Sequence, residues 1–174
     1  MATQPRTALI TGNSSGLGLG FTRVLNADGW AVHGLSRRGC PEPVAGDVRV
    51  DLADLDAIGP AIQRLLAPVE RLDLVILNAG VLGRIEHLSE ADIGELRRTM
   101  DINLFANKPI LDHLIARRMP VGRIIAISSG AVKPLKSWTL TCTNFTPRRP
   151  VRPDALRAPG PASDGRGAGA ANVG

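Results

Sequence analysis

The chain has 174 residues, 44% hydrophobic and 21% charged, enough for one domain with a real core. No run approaches the ~20 apolar residues needed to span a bilayer, and the N-terminus lacks the apolar centre of a secretory signal. Two cysteines, Cys40 and Cys142, make neither a disulfide framework nor a metal-ligand spacing. A reduced, cytoplasmic protein with no metal and no membrane partner is the expectation. The formal charge is +5, but residues 146–174 carry five arginines against two aspartates and supply three of those five units. The remainder is close to balanced and offers no nucleic-acid footprint.

In chain order, Thr7–Ile10 reads as a first strand, followed by a glycine-rich turn. Leu17, Phe21, Val24 and Leu25 then recur at helical spacing as far as Asp28-Gly29. Ala31–Leu35 is a second strand and Val48–Leu52 a short third. Leu55, Ile58, Ile62, Leu65 and Leu66 form the stripe of a second helix, ending before Pro68. Leu72–Leu77 is almost wholly apolar, as a strand buried on both faces should be. Ser89-Glu-Ala-Asp92 resembles an N-cap with acids in the first turn. It opens a long helix carrying Ile93, Leu96, Met100, Leu104, Leu111, Leu114 and Ile115, with a kink expected at Pro109. Arg123–Ile127 completes five strands. Alternation of strand and helix predicts an α/β fold, a doubly wound parallel sheet of Rossmann type with strand order 3-2-1-4-5.

That pattern stops at about Phe145. Pro, Gly and Ala make up 16 of the last 29 residues, with no apolar periodicity. Such a segment buries too little surface to offset its ordering entropy. Residues 1–145 are therefore expected to form the folded domain and 146–174 a disordered tail.

The turn after the first strand reads Thr11-Gly-Asn-Ser-Ser-Gly-Leu-Gly18. A glycine turn opening a helix presents backbone N–H groups to a pyrophosphate and lets it approach the main chain. The second strand runs into Ser36-Arg37-Arg38 rather than an acid. An acid there would take a ribose 2′-hydroxyl, whereas two cations and a hydroxyl suit a 2′-phosphate. Arg38 reads equally as a solvated surface residue. Asp51 can be a helix cap, and His33, on a strand, is expected to be packed rather than catalytic. His87 and His113 fit solvated faces.

Four ordered elements make the chain similar to the short-chain dehydrogenase/reductase family: Thr11–Gly18, Asn78-Ala79-Gly80, Asn103 in Met100-Asp-Ile-Asn103, and Ile127-Ser-Ser129-Gly130. The resemblance covers about residues 5–142. It implies an NAD(P)-binding Rossmann domain and hydride transfer between nicotinamide and a small-molecule carbonyl or alcohol. It places Gly12, Ser14, Ser15, Gly16, Leu17, Gly18, Arg37, Asp51, Leu52, Asn78, Ala79 and Gly80 at the cofactor, with NADP preferred to NAD. Asp51-Leu52 resembles the pair that contacts adenine. Ser129 would hydrogen-bond a substrate carbonyl, and Asn103 would hold a water of the proton relay.

The same family uses a tyrosine as proton donor and a lysine four residues later to lower its pKa, which matters because a free phenol titrates near 10. This chain has no tyrosine. In Trp138-Thr-Leu-Thr141-Cys142-Thr-Asn-Phe145, Thr141 stands at the tyrosine position and Phe145 at the lysine position. Threonine is a far weaker acid, and phenylalanine carries no charge. Little or no turnover is expected, with a non-enzymatic dinucleotide-binding module as the alternative. The composition after residue 140 fits a reading-frame change, and loss of the family's following helix is expected to weaken any homo-oligomer.

Overall fold

A computed structural model describes residues 4–84, 86–87 and 89–128 of the chain. Ser129, Thr141, Phe145 and the 146–174 tail lie outside the described residues. Five parallel strands form one sheet: β1 (Thr7–Thr11), β2 (Ala31–Ser36), β3 (Gly46–Arg49), β4 (Leu72–Leu77) and β5 (Val121–Ala126). Their spatial order is β3-β2-β1-β4-β5, the expected 3-2-1-4-5. β1 lies at the centre, with Thr11 opposite Leu35 of β2 and Ile10 opposite Ile76 of β4. Strand order therefore reverses across β1, between β2 and β4, the topological switch point at which open α/β sheets form their crevice.

Helices α1 (Gly16–Ala27), α2 (Leu55–Leu65), α3 (Ile93–Met100) and α4 (Asn107–Ala116) connect the strands. One sheet face is covered by α2 and α4. There Ile58, Ile62, Leu65, Ile110 and Leu114 pack with Leu9, Leu35 and Val75 in the main core. The other face carries Ile10, Val32 and Ile76 with Phe21 and Leu25 of α1 against them. Central strands are buried on both faces, which is why β1, β2 and β4 read as apolar runs rather than alternations.

Three local expectations are corrected. On α1, Leu17 and Val24 are more than half exposed, while Gly18 and Thr22 are buried. The helix start lies so close to the turn after β1 that only small residues fit inward. The long helix breaks before Pro109, in a π-helical segment at Asp101–Phe105. Pro109 sits in the first turn of α4, where a missing N–H forfeits no intrahelical bond. α3 buries none of its residues, so Ile93 and Leu96 stay exposed.

Boundaries move too: β3 starts and ends earlier than Val48–Leu52, and β5 spans Val121–Ala126 rather than 123–127. Asp54, not Asp51, caps α2 by accepting from Ala57 N, and Asp92 rather than Ser89 caps α3 by accepting from Glu95 N. His33 is buried, and burial lowers its pKa below the usual imidazole value. His113 is not on a solvated face: it is half-buried, its Nε2 lacks a partner among the described residues, and its pKa is lowered chiefly by burial.

Candidate cofactor-binding cleft

At the C-terminal ends of β1, β2 and β4 lies a cleft of about 630 Å³. Of the residues expected at a cofactor, Gly12, Ser14, Ser15, Gly16 and Leu17 line it from the glycine turn. Arg37, Asp51 and Leu52 line it from one side, and Asn78, Ala79 and Gly80 from the other. Gly18 does not line it. A Cβ on Gly18 would collide with the Gly12 carbonyl oxygen and come within 2.5 Å of Asn78 Nδ2. That bare position lets α1 approach the turn after β1 and the Asn78 side chain.

The turn's geometry follows from its sequence. Gly12 has φ +70 and Gly16 φ +55, both in the left-handed region. A side chain on Gly12 would meet Ala79 Cα at 2.9 Å, so the switch point stays open only because this residue is bare. Gly12 N donates to Leu35 O at 2.8 Å and ties the turn to β2. Ser15 occupies the N-cap position of α1 without a side-chain cap bond, and no acid stands in the first turn. The helix dipole and the first-turn N–H groups, which have no intrahelical acceptor, face the cleft uncompensated by an acid. An anion suits that place.

Thr11 and Asn78 join the turn to β4. Thr11 is fully buried, and its Oγ1 accepts from both Asn78 N and Ala79 N at 3.0 Å. Asn78 Nδ2 donates back to Thr11 O at 3.0 Å. This reciprocal network fixes Asn78-Ala79-Gly80 beside the glycine turn. Next to it, Asn103 uses both ends of its amide on one residue: Val81 N donates to Oδ1 and Nδ2 donates to Val81 O, each at 2.8 Å. The π-helical segment lets Asn103 reach this loop, and the pairing satisfies a side chain that sequence alone places on an apolar stripe.

On the outer rim, Arg38 Nη2 donates to Ser15 Oγ at 2.8 Å. Arg38 is therefore tied to the glycine turn rather than simply solvated, and both Arg37 and Arg38 line the cleft. Asp51 accepts from Arg98 Nη2 at 2.9 Å and from Ala53 N at 3.1 Å. The Arg98 hydrogen bond, ahead of the Ala53 one, holds the Asp51 carboxyl below its ordinary pKa. Arg98, Glu95 and Thr99 of α3 line the cleft as well and had no sequence signal. The Arg98–Asp51 pairing joins positions 47 apart in sequence. Among the described residues, no group of three or more His, Cys, Asp or Glu could hold a metal ion.

A family model described as short chain dehydrogenase matches residues 6–140. The chain belongs to the short-chain dehydrogenase family. Among relatives of this chain, an uncharacterised oxidoreductase of Schizosaccharomyces pombe is 34% identical over 149 residues, covering 80% of this chain and 60% of its own length. A short-chain dehydrogenase structure from Streptomyces avermitilis is 25% identical, with a TM-score of 0.61 over 74% of this chain and 51% of that one. A blue fluorescent protein from a metagenomic library, solved in complex with NADPH, is also 25% identical, with a TM-score of 0.61 over 72% of this chain and 56% of that one. The chain spans about half to three fifths of the length of the curated relatives it matches. No helix among the described residues is long and apolar enough to cross a membrane.

Proposed function

We propose that the cleft binds NADP in preference to NAD, and that the chain descends from reductases of small-molecule carbonyls or alcohols while itself turning over little or not at all. The observation carrying the cofactor reading is the pair Arg37-Arg38 on the cleft rim, with Arg38 bonded to Ser15 of the glycine turn. Two guanidinium groups at the end of β2, where an acid would favour a 2′-hydroxyl, suit a 2′-phosphate. The cleft's size lies within the usual range for small-molecule sites, roughly 300–1,000 Å³, and the bare Gly12 leaves the main chain open to a diphosphate. The NADPH complex of the fluorescent relative is consistent with that choice for the relative's own site.

In this reading the first turn of α1 with Ser14 and Ser15 holds the diphosphate. Arg37 and Arg38 hold the 2′-phosphate, Asp51 and Leu52 face the adenine, and Asn78, Ala79 and Gly80 line the passage toward the nicotinamide. NADPH supplies a hydride when bound. A carbonyl accepting it needs a proton, and Ser129, with Asn103 steadying the neighbouring loop, would orient that carbonyl. Thr141 and Phe145, at the tyrosine and lysine positions, supply neither an acid of suitable pKa nor a cation to tune one. Those two residues favour the second reading, a dinucleotide-binding module without chemistry. The setting proposed is the cytoplasm.

The test is titration of the full chain with NADPH and NADH, followed by nicotinamide fluorescence, alongside carbonyl-dependent loss of absorbance at 340 nm. NADPH should bind more tightly than NADH, Arg37→Ala should narrow the difference, and absorbance should hold steady. Equal affinity for the two nucleotides would remove the NADP assignment. Steady turnover surviving both Ser129→Ala and Thr141→Ala would show that the reacting residues lie elsewhere.

A further inference from the structure

The cofactor-binding cleft lies at the C-terminal ends of the strands. A second cavity, of about 500 Å³, lies at the opposite end, among the segments that enter β1, β4 and β5. Its size also falls within the range of small-molecule sites, roughly 300–1,000 Å³. We infer that this basal cavity binds a small oxyanion, a carboxylate or a phosphate, held by His33 at its inner end and Arg71 at its rim. Such a site is independent of the dinucleotide reading of the cleft.

Val32 and Leu35, on the same strand as His33, are fully buried apolar residues, and His33 itself is only 6% exposed. Gly46 of β3 makes room for the imidazole: a Cβ there would come within 2.7 Å of His33 Nδ1. That nitrogen is sealed in, without a partner among the described residues. Burial lowers the pKa and so holds the ring neutral at pH 7. A neutral imidazole carries one N–H. An orphaned buried N–H is rarer than an orphaned buried acceptor, which puts the proton on Nε2. The ring lines the cavity, and Nε2–H is the donor it offers there.

The rest of the lining is also rich in donors. Arg71 Nη2 is tied to Asp73 Oδ1, and Asp73 Oδ2 accepts from Thr7 N at 2.9 Å. This pairing steadies the guanidinium beside the cavity and leaves its other N–H groups unpartnered among the described residues. A guanidinium fork matches the paired oxygens of a carboxylate or phosphate. Gln4 and Thr7 add an amide and a hydroxyl, both able to donate. The backbone offers little. Pro68 and Pro120 have no N–H, and the carbonyls of Val69 and Pro120 already accept from Arg117 and from Leu72 N. Glu70 is the lining group that opposes an anion. Asp73, the other acid here, is already answered by Thr7 N, Arg71 and the charge of Arg6.

The test is a pair of titrations of the full chain, one with inorganic phosphate and one with acetate, followed by backbone amide NMR shifts. The amides of Thr7, Gly46 and Arg71 report the basal cavity, and those of Gly12 and Ser15 report the cleft. At least one anion should shift the basal set and saturate. A response to phosphate alone assigns a phosphate site, and one to acetate alone a carboxylate site. Arg71→Gln should weaken the basal binding by about fivefold. His33→Phe, which keeps a flat ring without an N–H, should weaken it by about tenfold or more. Glu70→Gln should strengthen it by about twofold. All three variants should leave the Gly12 and Ser15 response as it is in wild type. Shifts confined to Gly12 and Ser15 overturn the inference. So do basal shifts that drift without saturating, which mean an adventitious ion only, and basal binding that Arg71→Gln leaves unchanged. Arg71 and Glu70 are exposed, so their variants retain the fold and decide the matter even where His33→Phe does not fold.

Discussion

Two glycines on α1, two residues apart, should respond to alanine with opposite sign. Gly18 is buried, and a Cβ there would overlap the Gly12 carbonyl oxygen and Asn78 Nδ2. Neither neighbour can give way cheaply. One is backbone in a turn at φ +70, and the other is engaged with Thr11 O. Overpacking costs about 1–3 kcal/mol, and displacing the Asn78 bonds adds about 1 kcal/mol. The better helix propensity of alanine returns up to about 1 kcal/mol. With that gain taken in full, the net loss for Gly18→Ala is about 1–3 kcal/mol, which for a domain of this size lowers the midpoint by roughly 3–10 °C. Gly20 is exposed and lies inside the same helix, and a Cβ added to it would meet no atom within 4 Å. Gly20→Ala should therefore stabilise by up to about 1 kcal/mol, a rise of a few degrees. Thermal melts followed by circular dichroism at 222 nm check both variants in one run. A Gly18→Ala midpoint equal to wild type, or above that of Gly20→Ala, refutes the close approach of α1 to the turn. NADPH titration of the same samples should show the Gly18 variant impaired and the Gly20 variant normal.

Thr11→Val keeps the shape of the side chain but leaves Asn78 N and Ala79 N without their acceptor. It should cost about 2–3 kcal/mol in urea unfolding, and Thr11→Ser should recover most of that. Buried His33 has a pKa lowered by desolvation, as does His113. A depressed folded value means that the unfolded chain binds protons first. Both residues therefore contribute stability that is complete above the unfolded imidazole value near 6.5 and is lost as pH falls through the folded values. Melts between pH 7.5 and 5 should show that decline, and His33→Gln should flatten part of it. An unchanged slope in that variant would remove His33 as a contributor. At lower pH, Asp73 enters the balance. Its pKa is lowered first by the Thr7 N–H and then by Arg71, so its contribution is present above the ordinary carboxylate range and disappears on further acidification. Asp73→Asn should shift the acid midpoint relative to wild type.

The strand order and the glycine turn were legible because both are local signals. Central parallel strands must be apolar on both faces, and a turn needing φ above zero beside a backbone neighbour selects glycine. Arg37 and Asn78-Ala79-Gly80 could be placed in the cleft because each directly follows a strand end, and Asp51 because it lies two residues past one. What escaped the sequence depends on distance in three dimensions. Apolar periodicity pointed Leu17 and Val24 of α1 inward, but the sheet approaches so closely that Gly18 and Thr22 take the buried positions instead. Local pattern marked Pro109 as the break in the long helix. The actual break arises at Asp101–Phe105, where Asn103 reaches across to the backbone of Val81, a partner no local pattern announces. Arg98 was silent for the same reason, since its value depends on Asp51 in another part of the chain.

The placement of these signals has a chemical consequence. Among the described residues, the hydrogen bonds that shape the cleft floor join β1, β2, β4 and the segments directly after them: Gly12 to Leu35, Thr11 to Asn78 and Ala79, Arg38 to Ser15. These bonds do not draw on Ser129, Thr141 or Phe145, where hydride acceptance and proton delivery would be managed. Substitution at Thr141 or Phe145 is therefore expected to leave the nucleotide's seat unchanged, whatever it does to turnover. Reversal should be equally separable. Thr141→Tyr combined with Phe145→Lys should leave NADPH affinity within about twofold of wild type, and any carbonyl-dependent oxidation of NADPH that it creates should vanish again with Ser129→Ala. A double variant whose NADPH affinity collapses would show that the two regions are coupled after all.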